Sequence, residues 1–308
     1  MIPVVSEDQR STGQVRAGTR WLLVAFAVLT ALAVLELLLL ADVADRFWAW
    51  TIPTELTAAF LGAAYGAGFV LAVLALRQHD WNRIRVPVVT VTAFTWLTAV
   101  ATGIHLHRFN LSTGGPMARG AAWVWLAVYL VIPLPGLAVV VLQERHRHGP
   151  EPVLRPMPTW LTALLAVEGA VLAVAGGVLF AGGVAVHHHA SAAAFWPWTL
   201  MPLGAMVIGA WLIALGLAAG LVIAQRDLSR LLVSAVTYTV FGVLQVVALI
   251  WHWPQLRSSG PSLWAYLAML AAMVGTGGYG WWAARGGSAQ PARPDSSSGL
   301  APAGRPGT

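Results

Sequence analysis

The chain has 308 residues, a formal net charge of +6, 58% hydrophobic residues and only 10% charged ones, with a mean hydropathy of +0.71. A soluble domain carries roughly a quarter charged residues, so this composition excludes a water-soluble globule and makes the lipid bilayer the solvent. The chain contains neither Cys nor Lys, which excludes disulfides, thiolate metal sites, thiol catalysis, Cys-ligated haem, lysine Schiff bases and a Walker lysine.

Residues 1–20 read as a polar cytoplasmic tail. Eight predominantly apolar segments follow at 21–41, 54–76, 84–104, 121–143, 160–182, 196–224, 228–251 and 262–284. Each approaches or exceeds the ~20 residues that a membrane helix needs. The first is too long for a cleavable signal peptide. The segment 144–159 is a charged, Pro-rich cytoplasmic linker, and 285–308, rich in Gly, Pro, Ser, Ala and Arg, is a disordered tail.

All 18 basic residues are Arg. With the N-terminus inside, all but Arg46, Arg108, Arg119 and Arg257 fall on the cytoplasmic side, so both termini are expected in the cytoplasm of a bacterial plasma membrane. Arginines at helix ends explain the basic balance without a nucleic-acid partner. The tryptophans read as two interfacial belts. Trp48, Trp50, Trp123, Trp125, Trp196, Trp198, Trp251, Trp253 and Trp264 form the outer belt, and Trp21, Trp81, Trp160, Trp281 and Trp282 the inner one.

The two halves resemble each other. Phe47-Trp48-Ala49-Trp50-Thr51 matches Phe195-Trp196-Pro197-Trp198-Thr199. From Leu56 onward a shift of 147 makes about 19 of roughly 50 positions identical, including Gln78/Gln225, Asp80/Asp227, Arg83/Arg230, Thr90/Thr237, Thr92/Thr239 and His105/His252. The expected fold is therefore all-α and integral to the membrane: parallel four-helix repeats at 21–143 and 160–284, related by a pseudo-two-fold along the membrane normal. In both Gln-x-Asp-x-x-Arg turns the Asp is expected to cap the next helix.

Polar residues inside the spans point to function, because burying them in lipid is costly. Thr95, Thr98 and Thr102 climb one face of the third span and lead to His105. In the seventh span Gln245 and His252 occupy the places of Thr98 and His105. Glu36, Glu55 and Glu168 are the candidate membrane carboxylates, with Glu55 expected to reach His105. His187, His188 and His189 form a loop run that would gather a metal only by converging with other ligands. Ile132-Pro133-Leu134-Pro135-Gly136 and Val274-Gly275-Thr276-Gly277-Gly278 weaken the fourth and eighth spans. No P-loop, GxSxG, HExxH or aspartate-rich diphosphate motif is present.

The FWPWTL segment, the Arg-only basic set and the Ala/Val/Leu/Gly bias resemble a group of polytopic membrane proteins of GC-rich actinobacteria, over about a third of the chain. In architecture alone, two tandem four-helix units are similar to haem A synthase, which places two haem-ligating histidines in each half, against one here. Three functions follow as expectations. The first is transport or binding of a small ligand or ion along Thr95, Thr98, Thr102 and Gln245 between the repeats. The second is a haem- or metal-binding redox protein using His105 and His252. The third is a structural or assembly subunit that binds other membrane proteins or lipids.

Overall fold

The computed structural model describes residues 15–145, 153–184, 195–256 and 260–285. Among them every long element is a helix. Seven helices are long and apolar enough to cross a membrane: α1 (Ala17–Leu39), α2 (Glu55–Leu76), α3 (Trp81–Ile104), α4 (Pro116–Arg145), α5 (Thr159–Val184), α6 (Pro202–Gln225) and α7 (Leu232–Trp251). The remaining expected span appears as α8 (Pro261–Arg285), a helix of 25 residues. At 1.5 Å per residue it reaches ~37 Å, past a hydrocarbon core of about 30 Å. Its Gly275-Thr276-Gly277-Gly278-Tyr279 stretch makes it less apolar than the other seven. The His187–His189 run and both tails lie outside the described residues.

Packing follows from side-chain size. Large apolar residues such as Leu32, Leu35, Leu130, Val131, Val167 and Val174 are exposed, while α2 buries a nearly continuous alanine and glycine face. That inside-out distribution suits a chain dissolved in lipid. α1 lies along α2 and α5 along α6; α3 carries α4 and α7 carries α8; α2 meets α7 and α3 meets α6 across the middle. The centre is aromatic. Phe94 and Trp211 lie 4.1 Å apart and Phe60 meets Phe241 edge-on at 6.0 Å.

Two helix pairs approach by different means. On α5, Gly169, Gly176 and Gly183 recur every seven residues and meet α6 around Gly216, Gly209 and Met206. A Cβ on Gly176 would sit 2.7 Å from the Gly209 carbonyl oxygen, and one on Gly209 equally close to that of Gly176. α1 has no such glycine row. Its outer end opens into one wide i→i+5 turn, Leu35–Leu39, seated on Gly62 of α2 through the Leu37–Leu38 backbone. α4 is broken at Ile132, because Pro133 and Pro135 cannot donate to the carbonyls of the preceding turn.

The inner turns hold the expected caps. Asp80 accepts the Asn82 N–H and Asp227 the Ser229 N–H. Asp227 does more. Its carboxylate also receives the Ser229 hydroxyl and the backbone N–H groups of Leu154 and Arg155, and stands 3.3 Å from the Arg230 guanidinium. The strand-like contact Pro156–Asp227 and the Met157 N–H on the Arg226 carbonyl complete a strap from the linker onto the α6–α7 turn. Burial alone would raise this carboxyl, but the Ser229, Leu154 and Arg155 donors outweigh it and hold it below the ordinary 3.8.

Two predictions follow from these contacts. Gly176→Ala drives a Cβ into the α6 backbone and is expected to destabilise the protein by about 1–3 kcal/mol, whereas Gly177→Ala, which meets open space, leaves stability unchanged or slightly raised; thermal unfolding in detergent compares the two. Because the folded-state value of Asp227 is depressed, its stabilisation is complete above the ordinary carboxylate range and disappears as pH falls through and below it. Asp227→Asn should therefore lower stability by about 1–3 kcal/mol at neutral pH and flatten the acid limb of the melting-temperature profile.

Candidate functional site

The largest cavity found lies within the first half, between α1 and α4, over the faces of α2 and α3. Its volume is about 500 Å³, within the range that encloses small ligands. Thr30, Ala33 and Glu36 of α1 line it, with Tyr65 of α2, Thr95 of α3, and Trp125, Val128 and Tyr129 of α4; Trp48 comes from the segment after α1.

Each wall has a local cause. Glu36 belongs to the wide turn of α1, where loosened helical geometry often marks functional positions. It is half-buried and lines the cavity. Trp125 and Tyr129 are one helical turn apart on α4 and stack at 4.3 Å. Trp48 packs against Trp125 at 5.6 Å. The Tyr65 and Tyr129 hydroxyls are 2.9 Å apart, so one supplies the proton of their shared hydrogen bond and the other keeps a donor. The Trp48 indole N–H is buried and has no hydrogen-bond partner among the described residues. Leu32, Met117 and Val124 line the same space yet are 52%, 68% and 54% exposed, so the cavity opens sideways, between α1 and α4, where lipid would lie. The arrangement is an aromatic box with one carboxylate, one unpaired N–H and a lateral mouth.

The other candidates are dispersed. The α3 threonines are all buried, but Thr95 and Thr102 donate to their own helix, at the Thr92 and Thr98 carbonyls. Thr102 also accepts the Trp125 N–H at 2.9 Å, and the Thr98 hydroxyl is unpartnered. Gln245 turns into protein: its amide donates to the Phe60 carbonyl of α2 at 3.0 Å and its oxygen accepts the Tyr266 hydroxyl of α8. Glu168 accepts from Tyr238 of α7 and Thr276 of α8, binding α5 to the second half's other helices. A smaller cavity of about 80 Å³ beside Tyr238 and Thr276 is also lined by Thr90 and Thr237. Their hydroxyls have no partner. Only Thr95 and Glu36 of the candidate pathway meet in one large space, and it lies beside α3 instead of between the halves.

The histidines at the outer ends of α3 and α7 share their backbone setting, with φ and ψ of −108° and 27° at His105 and −114° and 28° at His252. Their partners differ. His105 Nε2 is 2.9 Å from the Gly183 carbonyl oxygen of α5, while His252 Nδ1 faces Glu55 of α2. Glu55 thus meets the second half's histidine, and not His105 as expected, because α2 packs against α7 far more extensively than against α3.

Sequence reasoning missed the box itself. Trp48, Trp50, Trp125, Trp196 and Trp198 are buried, so this part of the expected outer belt is an internal cluster, whereas Trp123, Trp251, Trp253 and Trp264 are exposed. The signals were the two-residue spacing of Trp48 and Trp50 and the one-turn spacing of Trp125 and Tyr129. The chain matches no protein-family model, no curated protein and no solved structure.

Thr102→Val leaves the buried Trp125 N–H without its acceptor and is expected to cost about 1–3 kcal/mol in thermal unfolding. Thr98→Val removes a hydroxyl that has no partner, preserves shape, and is expected to be neutral or stabilising.

Proposed function

We propose that this multi-pass membrane protein binds a small lipophilic organic cation taken sideways from the bilayer and hands it on across the membrane. The observation that carries the reading is the laterally open aromatic box with Glu36 at its wall. Aromatic faces attract a cation most strongly where water is scarce, and a carboxylate supplies the opposite charge. An apolar body would lie along Leu32 and Val124, with its cationic head toward Glu36.

The reading rests on an eight-span arrangement of two four-helix repeats in the plasma membrane with both termini in the cytoplasm. The arginine distribution favours that orientation. The helix pairings support the repeat. Replacing each helix by the one four places later exchanges α1–α2 with α5–α6, α3–α4 with α7–α8, and α2–α7 with α6–α3. The matching caps at Asp80 and Asp227 and the matching ends at His105 and His252 agree with it. The haem reading gains no support from imidazoles held by different helices.

The test uses protein in lipid nanodiscs and a long-chain primary amine carrying a photoactivated diazirine. Labelling is expected on α1 and α4. Gly120→Phe, at a cavity-lining position with open space around it, should reduce labelling at least tenfold, and Glu36→Gln should weaken labelling by the amine while sparing its uncharged alcohol analogue. Labelling that Gly120→Phe leaves unchanged would overturn the site; equal losses for amine and alcohol in Glu36→Gln would overturn the cation assignment.

A further inference from the structure

A second constellation lies at the outer end of the bundle, apart from the aromatic box. Asp42, in the short turn Ala41–Val43 after α1, Glu55, the first residue of α2, and His252, at the end of α7, bring a carboxylate oxygen, a carboxylate oxygen and a ring nitrogen all within 4.8 Å of one another. We infer that these three side chains form a binding site for one first-row divalent cation of the zinc type, which fastens the two halves together at this end.

The spacing favours ligation over a simple ion pair. His252 Nδ1 and Glu55 Oε2 are 3.5 Å apart, longer than an ordinary N–H···O hydrogen bond. Two ligands on a tetrahedral zinc, with bonds of roughly 2.0–2.2 Å, stand about 3.4 Å apart. The two atoms already hold that separation, and Asp42, exposed on its turn, closes in by side-chain rotation. One imidazole with two carboxylates suits a borderline metal better than magnesium or calcium, which favour all-oxygen shells.

The carboxylate is also held from behind. The Gln255 amide donates to Glu55 Oε2, and the Gln255 carbonyl oxygen accepts the Leu56 N–H at 2.9 Å. Such outer hydrogen bonds orient metal-binding carboxylates. His252 is 8% exposed, so its ring is fixed by packing. The fold has no need of acids here: at the equivalent end of α3, His105 is satisfied by the Gly183 backbone carbonyl. Asp42 and Glu55 come from the first half and His252 from the second, so an ion would bridge segments 200 residues apart in sequence, much as Gln255 already bridges to Glu55.

The test uses the full chain in detergent with His187, His188 and His189 replaced by Ala, which removes a competing histidine run. Titration calorimetry with zinc chloride is expected to show one saturable site, and the melting temperature should rise and plateau as it fills. Asp42→Asn, Glu55→Gln and His252→Gln should each weaken zinc at least tenfold, and magnesium at the same concentrations should not compete. Asp42→Asn alters an exposed side chain and keeps the fold readable if His252→Gln unfolds. The inference fails if the parent shows no saturable zinc binding up to millimolar concentration, or if Asp42→Asn and Glu55→Gln bind as tightly as the parent.

Discussion

In a bilayer, water does not press helices together, so close packing and polar contacts must do so. Everything else in this structure depends on how each helix meets that demand. Where glycines remove side chains, as along α5 and α6, backbones touch and no space is left. Where α1 offers Leu, Phe and Val in place of glycine, its outer half stands off from α4 and a chamber forms. Polar groups obey the same constraint. Gln245, Glu168 and Thr102 each lie inside the protein with a partner on another helix, because lipid has none to offer.

The two halves therefore share a plan but not a role. The second is closed by its glycine row and by Glu168, which ties α5 to α7 and α8. The first has no counterpart to either device. Its outer helix is attached mainly to α2, and the aromatic box fills the gap. Duplication supplied two frames, and different side chains on the outermost helix of each decided which one stayed open.

Much of this was legible in the sequence. The helices follow from runs of apolar residues, the repeat from Gln78/Gln225, Asp80/Asp227 and His105/His252, and the capping role of both aspartates from their place before a helix. The chamber was not legible. Its walls come from four segments, and tryptophan by itself signals an interface as readily as an interior, so Trp48 and Trp125 were read as facing headgroups. The partner of Glu55 was hidden for a similar reason: it depends on α2 choosing α7 over α3, a tertiary preference that local spacing does not encode. The threonine column was visible as a face, but the return of Thr95 and Thr102 to their own carbonyls reduces it to a local feature.

The wide turn of α1 carries a consequence for how such a protein diversifies. A turn closed by i→i+5 bonds holds one residue more than a regular turn, and one residue is about 100° of helical rotation. The heading of Glu36 thus hangs on a single surplus codon. Deleting it would regularise the helix and swing the acid toward hydrocarbon, while everything before Leu35 kept its place. A binding compartment can in this way be gained or lost by slippage of the reading register within one helix, with the remaining seven untouched.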